Sequence, residues 1–272
     1  MKKGYIDLPE GQLHYRSLPA SSPSGTKSPI IFLHKSASSS ISWTKLMHHY
    51  SNLGYDTYAP DFPGFGQSFD PVVSEDSPLT TAWYVHVLVS AFSKLGLKRY
   101  HVVGHHSGAV LAVEMAVLYE EEVESITLIG PTVMTAEERA AMKEMYFAPF
   151  NAPVEDGSHL LKTWDYLKYM GADGDLDLLQ REVLDHVRAW KGRNQIYGAV
   201  WAQDGVDLYT RCKRPILVMC AKDDVLFKFF HHITELRSDV KTVVVKGANF
   251  TPDLDVEGIT GALDGFLMGG EK

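Results

Sequence analysis

A histidine stands at the centre of the segment whose residue types are best suited to chemistry, Gly104-His105-His106-Ser107-Gly108. A strand is predicted at residues 101–103 and a helix at residues 109–118, so the glycines flank a sharp strand-to-helix turn. Such a turn holds its central side chain at an exposed, strained corner. A neutral imidazole there can accept a proton, donate a hydrogen bond or add to a carbonyl group. His106 is therefore the leading catalytic candidate. Ser107 lies one residue beyond the central position of the turn, so it is not expected to be the nucleophile.

The rest of the chain predicts a parallel sheet that would position this turn. Residues 5–15 alternate as a hairpin does, and short apolar runs predict strands at residues 29–33, 56–59, 123–129, 215–220 and 241–245. Helices are predicted from about residue 42, over 80–95 and over 256–267. Strands that alternate with helices indicate βαβ crossovers, hence an α/β fold with a mostly parallel sheet and helices on both faces.

The pattern changes between Pro131 and Ala202. Residues 135–201 contain no strand-like apolar run, and apolar residues recur there at steps of three and four, as in amphipathic helices. We predict that residues 131–202 form a helical lid. The core into which it is inserted would consist of residues 1–130 and 203–272.

Taken in order, these features resemble the α/β-hydrolase family over nearly the whole chain. Phe32-Leu33-His34 precedes the first core helix, and a glycine-containing motif spans residues 61–68. The turn at residues 104–108, the lid and the acidic turn at residues 221–224 follow. The resemblance implies an α/β-hydrolase fold with an inserted lid.

The resemblance also assigns the catalytic positions. In that family a serine attacks a carbonyl, a histidine takes its proton and an acid orients the histidine. His106 stands at the serine position, and Asp224 stands at the acid position, with Asp223 as the alternative. The histidine position falls on Asn249-Phe250, and neither residue can act as a base. Serine acyl transfer is therefore not expected, and Asp224 has three open roles: pairing with His106, pairing with the lid, or holding its own turn.

A substrate pocket and an oxyanion hole are implied beside His106. The family builds the hole from backbone N–H groups, here those of Ser36 and Ser107. Lys35 replaces the glycine that usually follows His34, and its ammonium offers positive charge to the site. The pocket candidates are His34, Lys35, Trp43, Tyr146, Trp164, Trp201 and Asn249. Bracing of the loop by His34 and lid packing by the aromatic residues are the alternatives. Together the aromatic residues suggest an apolar or aromatic ligand.

The composition and the spacing of histidines and glycines argue against several other classes of protein. The net charge of −8 argues against nucleic acid as a partner. No apolar run of about 18 residues predicts a membrane span, so we expect a cytoplasmic protein without a membrane partner. His101 and His105 have H-x-x-x-H spacing but run from a strand into a turn, so we expect no metal. Gly64-Phe65-Gly66 lacks a third glycine, so we expect no cofactor. The oligomeric state stays open.

Three functions remain on these grounds. The first is an enzyme centred on His106 that acts on a small apolar ester, lactone or ketone, by hydrolysis or by proton abstraction. The second is a lyase, isomerase or cofactor-free oxygenase on the same scaffold. The third is a protein that binds a small ligand without turning it over.

Overall fold

The computed structural model describes residues 1–22, 27–73 and 78–269. Short apolar runs of the sequence form the central strands of its sheet. The strands are β1 (Lys2–Leu8), β2 (Gly11–Leu18), β3 (Ile30–Leu33), β4 (Thr57–Pro60), β5 (Tyr100–His105), β6 (Val123–Ile129), β7 (Ile216–Ala221) and β8 (Lys241–Val245). They lie in the order β1-β2-β4-β3-β5-β6-β7-β8. β2 pairs antiparallel with β1 and β4, and the pairs from β4 through β8 are parallel. The predicted hairpin and mostly parallel sheet are confirmed.

Alternation along the central strands sends side chains to both faces of the sheet. Ile31 and Leu33 belong to one apolar cluster, and Ile30 and Phe32 belong to another. The core helices are α1 (Thr44–Asn52), α2 (Thr81–Lys94), α3 (Ser107–Leu118), α8 (Gly205–Arg211), α9 (His232–Leu236), α10 (Thr251–Leu254) and α11 (Val256–Leu267). The first cluster contains residues of α2, α3 and α8, and the second contains residues of α1 and α11. Helices therefore cover both faces, as predicted.

A helical segment separates β6 from β7. It contains α4 (Ala136–Tyr146), α5 (Ser158–Leu167), a wider π-type turn (Lys168–Ala172), α6 (Leu176–Arg188) and α7 (Trp190–Ala202), and α8 follows it. α4 begins with a capping box in which Thr135 and Glu138 satisfy each other's backbone N–H groups. We call residues 131–202 the helical insertion. Its action as a movable lid stays a prediction.

The sheet brings three loops to one edge, because the carboxyl ends of parallel strands lie side by side. His34 follows β3, His106 follows β5 and Asp224 lies in the turn after β7. Residues 270–272 of the predicted core lie outside the described residues. Among the described helices, none is both long enough and apolar enough to cross a membrane.

Candidate active site

The strand-to-helix turn at His106 depends on two glycines that have no room for a side chain. A Cβ at Gly104 would lie 2.3 Å from the carbonyl oxygen of Gly108, and a Cβ at Gly108 would lie 2.1 Å from that of Leu33. His106 has a φ of 48° and a ψ of −112°, a conformation that residues with side chains rarely adopt. The turn thus holds the imidazole at the carboxyl end of β5, where α3 begins.

The imidazole of His106 contacts Asp224 directly. Nε2 of His106 lies 2.7 Å from Oδ2 of Asp224, and the backbone N–H of Leu226 donates to the other carboxylate oxygen at 2.8 Å. The Asp224 side chain is 1% exposed and that of His106 is 15% exposed. An ionised carboxylate only accepts hydrogen bonds, so the proton of a neutral imidazole lies on Nε2 and the lone pair lies on Nδ1. We call this pair the His106–Asp224 dyad.

The dyad requires a glycine at position 130, which our reading of the sequence did not single out. A Cβ at Gly130 would lie 2.3 Å from Cδ2 and 2.5 Å from Nε2 of His106, and 3.0 Å from Oδ2 of Asp224. Gly130 also has a φ of +59°, which favours glycine. In the sequence, the only indication of this role was that Gly130 directly follows a predicted buried strand.

Asp223 has a different partner from Asp224. Its Oδ1 accepts a hydrogen bond from the backbone N–H of Ala248 at 3.2 Å, and it thereby ties the turn after β7 to the turn after β8. Of the two neighbouring acids, Asp224 is therefore the one that faces His106.

His105 lies buried beside the dyad. Its ring centre is 4.5 Å from that of His106 and 6.4 Å from that of Trp43. Burial lowers the pKa of His105 well below its usual value, so the ring is neutral at pH 7. Its Nε2 has no hydrogen-bond partner among the residues that the structure describes.

His34 braces the loop after β3 and does not line a pocket with His106. Its Nδ1 donates to the carbonyl oxygen of Lys35 at 2.8 Å, and its Nε2 accepts from the backbone N–H of Phe62 at 2.9 Å. Burial lowers the pKa of His34 to about 4, so the ring is neutral at pH 7. Both ring nitrogens are occupied, which fits the bracing alternative and corrects the assignment of His34 to the pocket.

The predicted oxyanion hole is altered at Ser36. The backbone N–H of Ser36 donates to Oγ of Ser107 at 2.7 Å, so it is already engaged. The Ser36 amide, which was predicted to help form the oxyanion hole, is therefore not available to a substrate while this hydrogen bond is present. The cause is the side chain of Ser107, which lies at the first position of α3 and reaches back to the loop after β3.

Lys35 does not offer a free charge to the site. Its Nζ lies 2.7 Å from Oε2 of Glu182 in α6, and the other Glu182 oxygen accepts from Ser38 Oγ at 2.8 Å and from Arg181 at 2.7 Å. Both the Lys35 and the Glu182 side chains are buried. Burial opposes ionisation of Glu182, but the charges of Lys35 and Arg181, together with the hydrogen bond from Lys35, outweigh it and lower the pKa of that carboxyl. Lys35 therefore fastens the helical insertion to the core, which corrects its assignment to the pocket.

Three other pocket candidates lie elsewhere. Trp43 is fully buried with its ring 5.1 Å from that of Phe32, within the core beneath the sheet. Trp164 packs against the apolar cluster that contains Leu167 of the helical insertion and Phe250 of the core. Asn249 is buried, and its side-chain nitrogen donates to the carbonyl oxygen of Met170 at 2.9 Å. These contacts are structural, so the pocket assignment is corrected for all three residues.

A small cavity of about 40 Å³ lies against His106 and Ser107. The helical insertion supplies most of its wall, including Tyr146 and Trp201, the two remaining pocket candidates. Lining residues that the sequence did not single out as pocket residues are Thr132, Met142, Tyr166, Met170, Tyr197, Val200, Val225 and Leu226. The spacing of the aromatic residues in the sequence cannot show which of their side chains meet at the cavity, because these residues lie on separate helices. The cavity has room for roughly two or three water molecules, far less than a drug-sized ligand requires.

Comparison with known proteins decides the family. A sequence profile described as the alpha/beta hydrolase family matches residues 30–251, which is most of the chain. This chain belongs to the alpha/beta hydrolase family. The resemblance and the predicted fold class are thereby confirmed.

The curated relatives of this α/β hydrolase match only part of their own length. A probable lysophospholipase, BODYGUARD 2 of Arabidopsis thaliana, is 28% identical over 51% of this chain and 31% of its own length. The 2-hydroxy-6-oxo-6-phenylhexa-2,4-dienoate hydrolase of Comamonas testosteroni is 30% identical over 50% of this chain and 46% of its own. The chain thus spans less than half the length of these relatives.

Solved structures extend the likeness to the whole fold. The enol-lactonase from Burkholderia xenovorans superposes with a TM-score of 0.79, at 15% identity, over 97% of this α/β hydrolase and 100% of its own chain. At that identity, the superposition establishes the shared fold and leaves the reaction to be argued from the site.

Two groups of three side chains in the described residues could share a metal ion. One group is His105, His106 and Asp224 at the dyad, and the other is His231, His232 and Glu235 near α9. In each group the possible ligand atoms lie within 4.8 Å of one another. The first group was not apparent in the sequence, because Asp224 is far from the histidines along the chain.

Proposed function

We propose that this chain is a hydrolytic enzyme in which His106 acts as a general base on a small apolar ester or lactone. The contact of 2.7 Å between Nε2 of His106 and Asp224 carries the proposal. It fixes the ring orientation and leaves Nδ1 as the proton acceptor. The hydrolase names of the relatives support hydrolysis as the reaction class.

The reaction needs no nucleophile from the protein. Nδ1 of His106 takes a proton from a water molecule as its oxygen adds to the substrate carbonyl carbon. The tetrahedral intermediate then collapses, and the leaving alkoxide takes the proton back from Nδ1. Asp224 stabilises the imidazolium between these two steps. On a ketone the same nitrogen would remove a proton next to the carbonyl group and leave an enolate.

Ser107 supports the reaction through its backbone. Its N–H lies in the first turn of α3, where unpaired amides and the helix dipole favour negative charge. Its hydroxyl accepts from the Ser36 amide, and within the described residues no hydrogen bond joins it to an imidazole that could activate it. Ser107 is therefore assigned as an amide donor and not as a nucleophile.

The small cavity limits the size of the substrate unless the helical insertion moves. Its aromatic wall, which includes Tyr146 and Trp201, favours an apolar acyl or aryl group. A substrate larger than a few heavy atoms would have to displace side chains of the helical insertion. Its behaviour as a lid is part of this proposal.

A panel of small aryl esters and lactones tests the assignment. We expect His106→Ala and Asp224→Asn to lower kcat/KM by about 100-fold or more, the usual contribution of a general base. Ser107→Ala frees the Ser36 amide for the substrate, so it should keep activity within about tenfold of wild type. His231→Ala, at an exposed histidine, is the matched control. Loss of turnover in Ser107→Ala with retention in His106→Ala, or stoichiometric fluorophosphonate labelling of Ser107, would overturn the mechanism.

Ligand binding without chemistry is the second candidate. It is favoured by the hydrogen bond between Ser36 and Ser107, which removes one amide that an oxyanion hole would use. In that case no member of the panel would be turned over. His106→Ala would instead weaken the affinity for a small aromatic ligand.

A further inference from the structure

An unpaired buried imidazole lies next to the His106–Asp224 dyad. His105 is 2% exposed, and its Nε2 has no hydrogen-bond partner among the described residues. Buried polar atoms in folded proteins usually have a partner, so this nitrogen is available to a further ligand. Neither the fold nor the proposed base mechanism uses this nitrogen.

The spacing of the rings around His105 is close to that of a metal site. With a metal–nitrogen distance of about 2.0–2.1 Å and the tetrahedral angle of zinc, two imidazoles on one ion have ring centres about 5 Å apart. The ring centres of His105 and His106 are 4.5 Å apart. The Asp224 carboxylate lies 2.7 Å from Nε2 of His106, and all three groups offer ligand atoms within 4.8 Å of one another. Ligand atoms on one zinc ion lie about 3.0–3.5 Å apart, so the ligand atom of His105 would have to move closer by less than about 2 Å and the pair of His106 and Asp224 would have to open slightly.

The charges and ligand types favour a transition metal. Two imidazoles with one carboxylate suit zinc or iron(II), whereas magnesium and calcium prefer oxygen ligands. The ammonium of Lys35 would repel a cation, but it is paired with Glu182 at 2.7 Å. His106 borders the cavity, and an ion could reach the group from there.

We propose that His105, His106 and Asp224 form a binding site for one divalent transition-metal ion, with a coordination position open to the cavity. The ion takes the place of the proton on Nε2 of the neutral His106 ring, and that proton moves to Nδ1, so the ring changes tautomer without releasing a proton. The single ring proton then lies on Nδ1, so His106 can no longer act as the base. Metal binding and the proposed base role are therefore mutually exclusive states of the same residues.

Calorimetric titration of the metal-free protein with Zn²⁺ tests the site without any substrate. In two buffers of different ionisation enthalpy, we expect one ion per chain at this site and the same binding enthalpy in both buffers, because the neutral imidazoles release no proton. His105→Phe removes one ligand while leaving the dyad in place, and it should weaken Zn²⁺ binding by about 100-fold or more, beyond the usual effect of residues that only support ligands. His105→Gln is the alternative if the phenylalanine variant does not fold. Asp224→Asn should also weaken binding.

The cluster near α9 provides the control. His231→Gln removes a potential ligand from the group of His231, His232 and Glu235, and it should leave the dyad site unchanged. A wild-type Kd weaker than about 1 mM would overturn the proposal, as would binding abolished by His231→Gln but kept in His105→Phe. Because no turnover is measured, failure of the proposed hydrolysis would leave this result intact. If Zn²⁺ inhibited a measured turnover in wild type but not in His105→Phe, this would confirm that metal binding and base catalysis by His106 exclude each other.

Discussion

Replacing Gly130 with alanine should separate the His106–Asp224 dyad without changing either of its residues. The new Cβ would lie 2.3 Å from Cδ2 of His106, whereas carbon atoms prefer a separation of about 3.5–4.0 Å. The imidazole must therefore retreat by roughly 1.2 Å or more. Such a movement takes Nε2 out of hydrogen-bonding range of Asp224, from which it is now 2.7 Å away.

Gly96→Ala is the matched control for this substitution. Gly96 has a φ of +78°, close to the +59° of Gly130, but a Cβ there would meet nothing within 4 Å. Both variants therefore bear the cost of a left-handed alanine, about 1–2 kcal/mol, or a fall in Tm of roughly 2–8 °C. Only Gly130→Ala should also lose turnover on the ester and lactone panel, by about 100-fold or more.

A proton NMR spectrum provides a readout that does not depend on a substrate. The hydrogen bond between Nε2–H of His106 and Asp224 should give a downfield resonance in wild type and in Gly96→Ala, and the resonance should vanish in Gly130→Ala. If Gly130→Ala retained both this resonance and full turnover, the steric argument for the dyad would be refuted.

Two further predictions concern the buried charges that hold the helical insertion. Lys35→Met removes one of the two cations that pair with Glu182 and leaves Arg181 as the other. It should therefore lower the free energy of unfolding by about 1.5–3 kcal/mol, most of which Lys35→Met/Glu182→Gln should restore. A loss below about 1 kcal/mol in urea titrations of the single variant would show that the pair is not coupled. Burial raises the pKa of Asp185, which accepts from Ser39 Oγ, from its usual 3.8 to about 7. The protonated carboxyl is favoured in the folded state, so its contribution to stability is full below about pH 4 and is lost as the pH rises through 7. Relative to Asp185→Asn, the wild type should lose up to about 1.4 kcal/mol per pH unit between pH 5 and 7, and parallel unfolding curves for the two proteins would contradict this.

Much of the core could be predicted because its signals are local. The apolar run at residues 241–245 became β8, and the periodic run at residues 256–267 became α11, with the same bounds. The glycines that flank His106 predicted a tight turn, since that turn needs close backbone approach within a few residues. Burial on both faces of the sheet explains why the central runs that became β3 and β7 could be recognised.

The partners of the site residues could not be predicted, since they depend on distant contacts. Lys35 is 147 residues from Glu182 along the chain, and charge pairing of that kind leaves no spacing pattern. Trp43 was grouped with Tyr146 because both are aromatic. The structure buries Trp43 beneath the sheet and leaves Tyr146 at the cavity. For Asp224, three roles were open, and only the three-dimensional structure shows that its partner is His106.

The attachment of the helical insertion to the core has a consequence for how new specificities could arise. α6 is held by buried charges through Glu182, whereas α4 is linked to α9 by the half-exposed pair of Glu138 and His232, a type of contact that contributes little. Met142 and Tyr146 of α4 line the cavity and contribute nothing to the dyad. Substitutions in α4 can therefore alter which molecules are admitted while the reacting groups stay as they are. On this scaffold, selection or design could change substrate choice and chemistry in separate steps.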